Sequence, residues 1–178
     1  MPNWAISYVR GIEGVNYRIG RLAMYLLFVI MGILLWSSVT KVFAFPSLWT
    51  LEMAQFTLVA YYLLGAPYSM QLGANVRMDL LYARLPLRRQ AAWDIFTIFC
   101  LLFYLGVMLW GALDSTAYSF RIGERAPSAW RPYLWPIKLI ITISFALMIL
   151  QAIAHLIRDI AIIRGVEIEK PFAHEVDR

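Results

Sequence analysis

The sequence predicts an all-α integral membrane protein with four transmembrane helices, and three observations support that fold class. First, four long stretches (22–40, 53–76, 95–113 and 139–157) contain no Asp, Glu, Lys or Arg. A helix crosses the hydrocarbon core of a bilayer, about 30 Å thick, in roughly 20 residues. Second, lipid offers the backbone no hydrogen-bond partner, so each stretch should be helical. Third, charged residues make up 15% of the chain, against about 25% in a typical soluble domain.

The positive charges predict how these helices are oriented. Lys and Arg are enriched in cytoplasmic segments. With both termini in the cytoplasm, 11 of the 16 basic residues lie inside and five lie outside. The outside residues are Lys41, Arg121, Arg125, Arg131 and Lys138. The net charge of +5 then reflects topology and contact with anionic phospholipid, and no nucleic-acid-binding motif accompanies it.

We expect a single membrane domain over residues 1–178, with spans at about 22–45, 51–72, 91–119 and 134–163. The segment before the first span is predicted to be either a short interfacial helix or a loosely ordered tail. Pro46 should end the first helix and open a very short link. Such a link makes the first two spans antiparallel neighbours.

The second span has a signal at each end. Glu52 lies in its first turn, where a carboxylate complements the positive end of the helix dipole. Gly65 and Pro67 predict a kink, or an early end of the regular helix near Ala66.

The link between spans two and three is predicted to hold an interfacial amphipathic helix over about 74–85. Met78, Leu81, Tyr82 and Leu85 share one helical face, and Arg77 and Arg84 share another. This pattern suits a helix with its apolar side in the membrane and its arginines at the phosphates. Pro86 then begins the next helix, and Arg88 and Arg89 lie at the cytoplasmic end of that helix.

Three residues within the spans carry side chains that can have a functional role. Asp114 lies near the outer end of span three, and an ionisable residue at that depth is a functional candidate. It is also close enough to the surface to be hydrated, or to pair with Arg121 or Lys138. His155 is expected to be a hydrogen-bonded residue rather than a ligand, and Cys100 to be a small apolar side chain.

The outer loop, about 120–137, contains three prolines, at 127, 132 and 136. They predict an extended and stiff path. Its aromatic residues, among them Trp130, would anchor the loop at the interface, present a surface to a soluble partner, or do both.

Several kinds of chemistry are missing from the sequence. No ionisable side chain lies at mid-membrane depth, where ion-coupled carriers bind their solutes. No nucleophile–base pair or metal-ligand cluster occurs at usable spacing, so we expect no enzymatic activity, no catalytic or metal residue and no cofactor. The chain therefore looks like the supporting part of a larger assembly.

A family resemblance adds a specific expectation. The run GANVRMDLLY at 73–82 is followed by Leu-Pro at 85–86 and then Arg88. Later come ERAPS at 124–128, Trp130, Pro-Tyr at 132–133, and Leu-Gln at 150–151. In this order the chain resembles the small membrane subunit (Q-type) of tripartite ATP-independent periplasmic (TRAP) transporters. The resemblance covers about residues 10–165.

The resemblance implies partners and roles. The small subunit would scaffold and stabilise a large membrane subunit in the bacterial inner membrane. That large subunit holds the sodium and substrate sites, and a periplasmic binding protein delivers an organic acid to it. The residues expected to hold the cytoplasmic interfacial segment in the bilayer are Arg77, Asp79, Arg84, Arg88 and Arg89. The residues expected to contact the binding protein are Glu124, Arg125, Trp130 and Arg131. The alternative is a four-helix anchor or assembly subunit of a respiratory or enzyme complex.

Overall fold

The computed structural model describes residues 3–43, 47–72 and 87–163. Within these ranges the chain forms four helices: α1 (Asn3–Val42), α2 (Thr50–Leu72), α3 (Leu87–Ile122) and α4 (Trp135–Ile163). The described residues contain no strand, only an isolated antiparallel bridge between Arg125 and Tyr133. The prediction of an all-helical protein is confirmed for this part of the chain.

Helix α1 is much longer than predicted. Its 40 residues extend over about 60 Å, roughly twice the thickness of the hydrocarbon core. The predicted interfacial helix or loose tail before residue 22 is therefore wrong for the described residues, because the same helix runs on without a break. Val9, Glu13 and Asn16 in this segment are at most 1% exposed. Their packing against the other helices stabilises the extra turns, since tertiary contacts supply most helical stability in proteins.

Three of the four helices are long and apolar enough to cross a membrane: Ile6–Val42, Ile95–Ile122 and Trp135–Ala161. Helix α2 has 23 residues and coincides with the predicted second span, which stays a prediction. The predicted interfacial helix at 74–85 lies outside the described residues.

Helix α2 does not end near Ala66. It continues through Pro67, which is buried, and on to Leu72. Of the two predicted outcomes, the early end is therefore wrong, and the kink stays a prediction. Proline is tolerated inside membrane helices because neighbouring helices and local adjustments satisfy the carbonyl that it leaves free.

The helices pair as two antiparallel hairpins. Helix α1 packs along α2, and α3 packs along α4. Helix α4 joins the hairpins because it also contacts α2 and α1, whereas α3 packs extensively on α4 alone among the described elements. The core of the bundle therefore lies where α1, α2 and α4 meet, and α3 is peripheral.

Hydroxyl groups close the turn of the first hairpin. Thr50 Oγ1 donates to Ser37 Oγ at 3.1 Å, and Ser47 Oγ lies 3.1 Å from Thr50 Oγ1. Near the other end of this hairpin, the ring of Tyr68 packs directly against the Cα of Gly20. The two helices thus approach closely at both ends of their contact.

Helices α1 and α4 contact each other less extensively than α1 and α2 do. Tyr8 Oη donates to the carbonyl of Leu150 at 3.4 Å, and Asn16 contacts the adjacent residue, Gln151. These contacts join the N-terminal part of α1 to the C-terminal half of α4.

Candidate functional site

A polar cluster lies buried between the N-terminal part of α1 and the C-terminal part of α4. We call Glu13, Asn16, Gln151 and Arg158 the α1–α4 polar cluster. Arg158 Nη2 donates to Glu13 Oε1 at 2.5 Å, and the two side chains are 9% and 2% exposed. Asn16 Nδ2 donates to Gln151 Oε1 at 2.6 Å, and both residues are at most 1% exposed.

The cluster holds α1 against α4. A buried charge is costly unless it is paired and hydrogen-bonded, and here opposite charges are paired within the chain. Among the described residues, no group of three or more His, Cys, Asp or Glu is placed to hold a metal ion. The ion pair between the two helices supports a structural role for the cluster.

Sequence reasoning missed this cluster. Glu13 lay in the segment assigned to an interfacial helix or tail, and Arg158 was counted only as a cytoplasmic charge. The available signal was helical spacing, because Glu13 and Asn16 are three residues apart while Gln151 and Arg158 are seven apart. Each pair therefore shares one face of its helix.

His155 links the ends of α2 and α4. Its Nε2 lies 3.0 Å from the carbonyl oxygen of Met70. The expectation of a hydrogen-bonded histidine is confirmed.

A second polar cluster fastens the loop between α3 and α4 to the end of the bundle. We call Ser119, Glu124 and Lys138 the loop clamp. Lys138 Nζ donates to Glu124 Oε2 at 2.7 Å and to Ser119 Oγ at 2.5 Å. Ser119 Oγ in turn donates to the Glu124 carboxylate. The clamp thus ties the first loop residues to both helices.

The backbone of this loop folds back on itself. Helix α3 ends at Ile122, and the next residue, Gly123, has a φ of 62°, the left-handed conformation that glycine adopts without strain. The amide of Glu124 then donates to the carbonyl of Ser119 at 3.1 Å. Further along, Ala126 N–H donates to Pro132 O at 2.9 Å, and Leu134 N–H donates to Glu124 O at 3.0 Å.

The predicted extended path of the loop is therefore wrong. Proline lacks an N–H, but its carbonyl remains a full acceptor, and the carbonyl of Pro132 closes the loop. The prolines stiffen a folded-back loop rather than an extended one.

The four loop residues predicted to contact a partner differ in how far they are engaged within the chain. Glu124 is engaged in the clamp. Arg125 is exposed and lies over the ring of Tyr133, 4.4 Å from its centroid, with Nη2 donating to Tyr133 Oη at 2.5 Å. Trp130 is 42% exposed, and Arg131 is also exposed. The structure thus leaves Arg125, Trp130 and Arg131 accessible at one end of the bundle.

The remaining predicted residues are placed as follows. Arg88 and Arg89 lie in the first turn of α3, while Arg77, Asp79 and Arg84 lie outside the described residues. Asp114 is exposed on α3 and pairs with neither predicted partner. Lys138 is bound to Glu124 instead, so the pairing alternative for Asp114 is wrong, and its hydration stays a prediction.

We expect the loop clamp to weaken in acid. Hydrogen bonds from Lys138 and Ser119, with the charge of Lys138, lower the pKa of Glu124 below its ordinary 4.5. A lowered pKa stabilises the folded loop above about pH 4.5, and that stabilisation is lost as the pH falls through the lowered value. Hydrogen exchange at the Ala126 and Leu134 amides, corrected for intrinsic rates, should accelerate in that range.

A matched variant tests the assignment to this carboxylate. In Glu124→Gln the same amides should exchange faster at neutral pH and show no additional acid-dependent step. An acid-dependent step that persists in Glu124→Gln would contradict this role of Glu124.

The four helices define a class of protein: a helical membrane protein in which a buried ion pair joins two helices of the same chain. Its family follows from comparison with known proteins. The model of the family "Tripartite ATP-independent periplasmic transporters, DctQ component" matches residues 30–162. The chain therefore belongs to the DctQ family of TRAP transporter small permease subunits. Members of a family of transporter components are generally not enzymes.

A curated relative is the "Isethionate TRAP transporter permease protein DctMQ" of Oleidesulfovibrio alaskensis. It is 30% identical over 119 residues, which cover 66% of this chain and 18% of the relative. The chain thus spans less than a fifth of the length of that relative.

Proposed function

We propose that this chain is the small permease subunit of a sodium-driven TRAP uptake transporter. In this proposal it scaffolds and stabilises a large membrane subunit, which carries an organic acid delivered by a periplasmic binding protein. The observation that carries the proposal is the distribution of charge. Four runs of 19 or more residues lack any charged side chain, and the buried Glu13–Arg158 pair is neutralised within the chain. The solute and ion sites would then belong to the partner.

The curated relative supports both the partner and the class of solute. Its name combines the letters of two components, and the matched region is 18% of its length. The remainder is long enough to hold a second and larger permease component. Isethionate, which its name specifies, is an organic sulfonate anion, so the name is consistent with an organic anion as the solute.

The proposed location is the bacterial inner membrane, with both termini in the cytoplasm. In this orientation, 11 of the 16 basic residues lie on the cytoplasmic side of the membrane, where Lys and Arg are enriched. The loop between α3 and α4 would then face the periplasm, on the same side as the binding protein. Arg77, Asp79, Arg84, Arg88 and Arg89 would lie at the cytoplasmic phospholipid surface.

Co-purification from mild detergent tests the assignment. A tagged form of this chain, expressed in its native host, should retain a large many-span membrane protein. Retention of a redox or soluble enzyme in its place would support the alternative, an anchor subunit of an enzyme complex.

The exposed loop arginines predict a salt-dependent docking contact. Reversing both charges, Arg125→Glu with Arg131→Glu, should weaken binding of the binding protein to the reconstituted complex, on the order of tenfold at low salt. The loss should shrink as ionic strength rises, because exposed charges are screened. Affinity measured across a salt series checks the prediction.

The matched control is Lys41→Glu, which changes an exposed charge in the last turn of α1. It should leave the affinity unchanged. Equal affinities for the double variant and this control would show that the loop is purely structural.

A further inference from the structure

Helix α3 has one covered side and one exposed side. Its covered side carries Ile98, Leu105 and Ser119, which are 8%, 1% and 0% exposed, and this side packs on α4. The exposed side, which we call the α3 outer face, is formed by Phe96, Phe103, Val107, Trp110, Asp114 and Tyr118. Phe103 and Trp110 on this face are 73% and 76% exposed.

Asp114 lies at the centre of the α3 outer face. At about 100° per residue, nine positions separate Asp114 from Leu105, which places them on opposite sides of the helix. Within the described part of the chain, Asp114 has no hydrogen-bond or ion-pair partner. It lies eight residues before Ile122, about 12 Å along the axis, and so inside the apolar stretch Ile95–Ile122.

An outward-facing carboxyl group at this position is informative. Ionisable residues within membrane helices almost always face a bundle interior or a water-filled cavity, where they are paired. Asp114 faces away from its own bundle. A second polypeptide packed against this side of α3 would give Asp114 such an interior.

Two glycines that border the face are consistent with a neighbouring helix. A Cβ added at Gly106 or Gly111 would meet no atom within 4 Å, so the packing of the described residues requires neither glycine. Small residues let membrane helices approach closely. The exposed side of α1 differs, because it has no charged residue between positions 22 and 40, and lipid can cover it at no electrostatic cost.

We propose that the large membrane subunit docks on the α3 outer face and places a basic or hydrogen-bond-donating side chain opposite Asp114. This proposal rests on the proposed function, which supplies the partner. It adds the helix that the partner contacts and the charge that the partner presents.

Photo-crosslinking from two matched positions tests the face. A benzophenone amino acid replaces Phe103 on α3 or Phe28 on α1, which are 73% and 66% exposed, in membranes that contain both subunits. Phe103 should crosslink to the large subunit, and Phe28 should not. Crosslinks from Phe103 only to a second copy of this chain, or only to lipid, would overturn the proposal.

Charge reversal tests the role of Asp114. The Asp114→Lys variant should retain at least tenfold less of the large subunit on co-purification, and Asp114→Asn should fall between Asp114→Lys and the unchanged protein. The isolated Asp114→Lys subunit should keep its helicity and melting temperature, because Asp114 is exposed and forms no hydrogen bond or ion pair within the described part of the chain. The control Lys41→Glu should retain the partner fully, and full retention by Asp114→Lys would overturn the proposal. Failure of the unchanged protein to retain a large subunit would instead refute the proposed function.

Discussion

Replacing Arg158 with leucine is expected to lower the free energy of unfolding by about 3–5 kcal/mol, because it removes one partner of a buried ion pair. The Glu13 side chain is 2% exposed, so water cannot take the place of the guanidinium. Helix α1 would lose its main polar tie to α4. Thermal unfolding of the purified subunit in detergent, followed by circular dichroism, measures the loss.

A double variant separates the lost pair from the lost packing of a large side chain. Glu13→Leu combined with Arg158→Leu should recover most of the stability, since apolar residues of similar volume often replace a buried pair at little cost. The control is Arg18→Leu, because Arg18 is an exposed arginine on α1, the helix that carries Glu13. It should change the free energy of unfolding by no more than about 0.5 kcal/mol. An equal effect of Arg158→Leu and Arg18→Leu would show that the ion pair does not hold the helices together.

Replacing Gly20 with leucine is expected to separate α1 from α2. A Cβ at position 20 would lie 2.3 Å from Cγ of Tyr68 and 2.4 Å from its Cβ. These atoms lie close to the backbone of α2, so a simple rotation of the ring cannot relieve the clash. Overpacking of this kind costs about 1–3 kcal/mol or more, and the melting temperature should fall accordingly.

Gly14 on the same helix provides the matched control, because a Cβ there would meet nothing within 4 Å. Gly14→Leu should be neutral or stabilising by up to about 1 kcal/mol, since leucine is the better helix former. Adding Tyr68→Ala to Gly20→Leu should restore part of the lost stability. If Gly20→Leu and Gly14→Leu behave alike, α1 and α2 do not approach at this point.

The helices could be located from the sequence because lipid makes the problem local. A run of about 20 residues without charge must satisfy its backbone internally, whatever its neighbours are. The charge-free runs at 53–76 and 139–157 anchored the predicted spans at 51–72 and 134–163, which coincide with α2 (Thr50–Leu72) and α4 (Trp135–Ile163).

The extension of α1 could not be predicted in the same way. Its N-terminal turns carry Glu13 and Asn16, which look like surface residues when read locally. They are buried because Arg158 and Gln151 lie beside them, at sequence separations of 145 and 135 residues. No local pattern reveals such a pairing.

The loop shows the same limit on a smaller scale. Its three prolines predicted an extended and stiff path. Its path depends on the left-handed turn at Gly123 and on Lys138, which reaches Glu124 from the next helix. The contact between Lys138 and Glu124 is a tertiary contact that the local sequence does not reveal, so the path of the loop was predicted wrongly.

Reconstitution into liposomes tests the central claim most directly. The purified chain alone, given an inward sodium gradient and a panel of radiolabelled organic acids, is expected to accumulate none of them. The same chain reconstituted with its large partner and supplied with the binding protein should accumulate one of the panel. Sodium-dependent uptake by the chain alone would contradict the account, because the solute path would then lie within these helices.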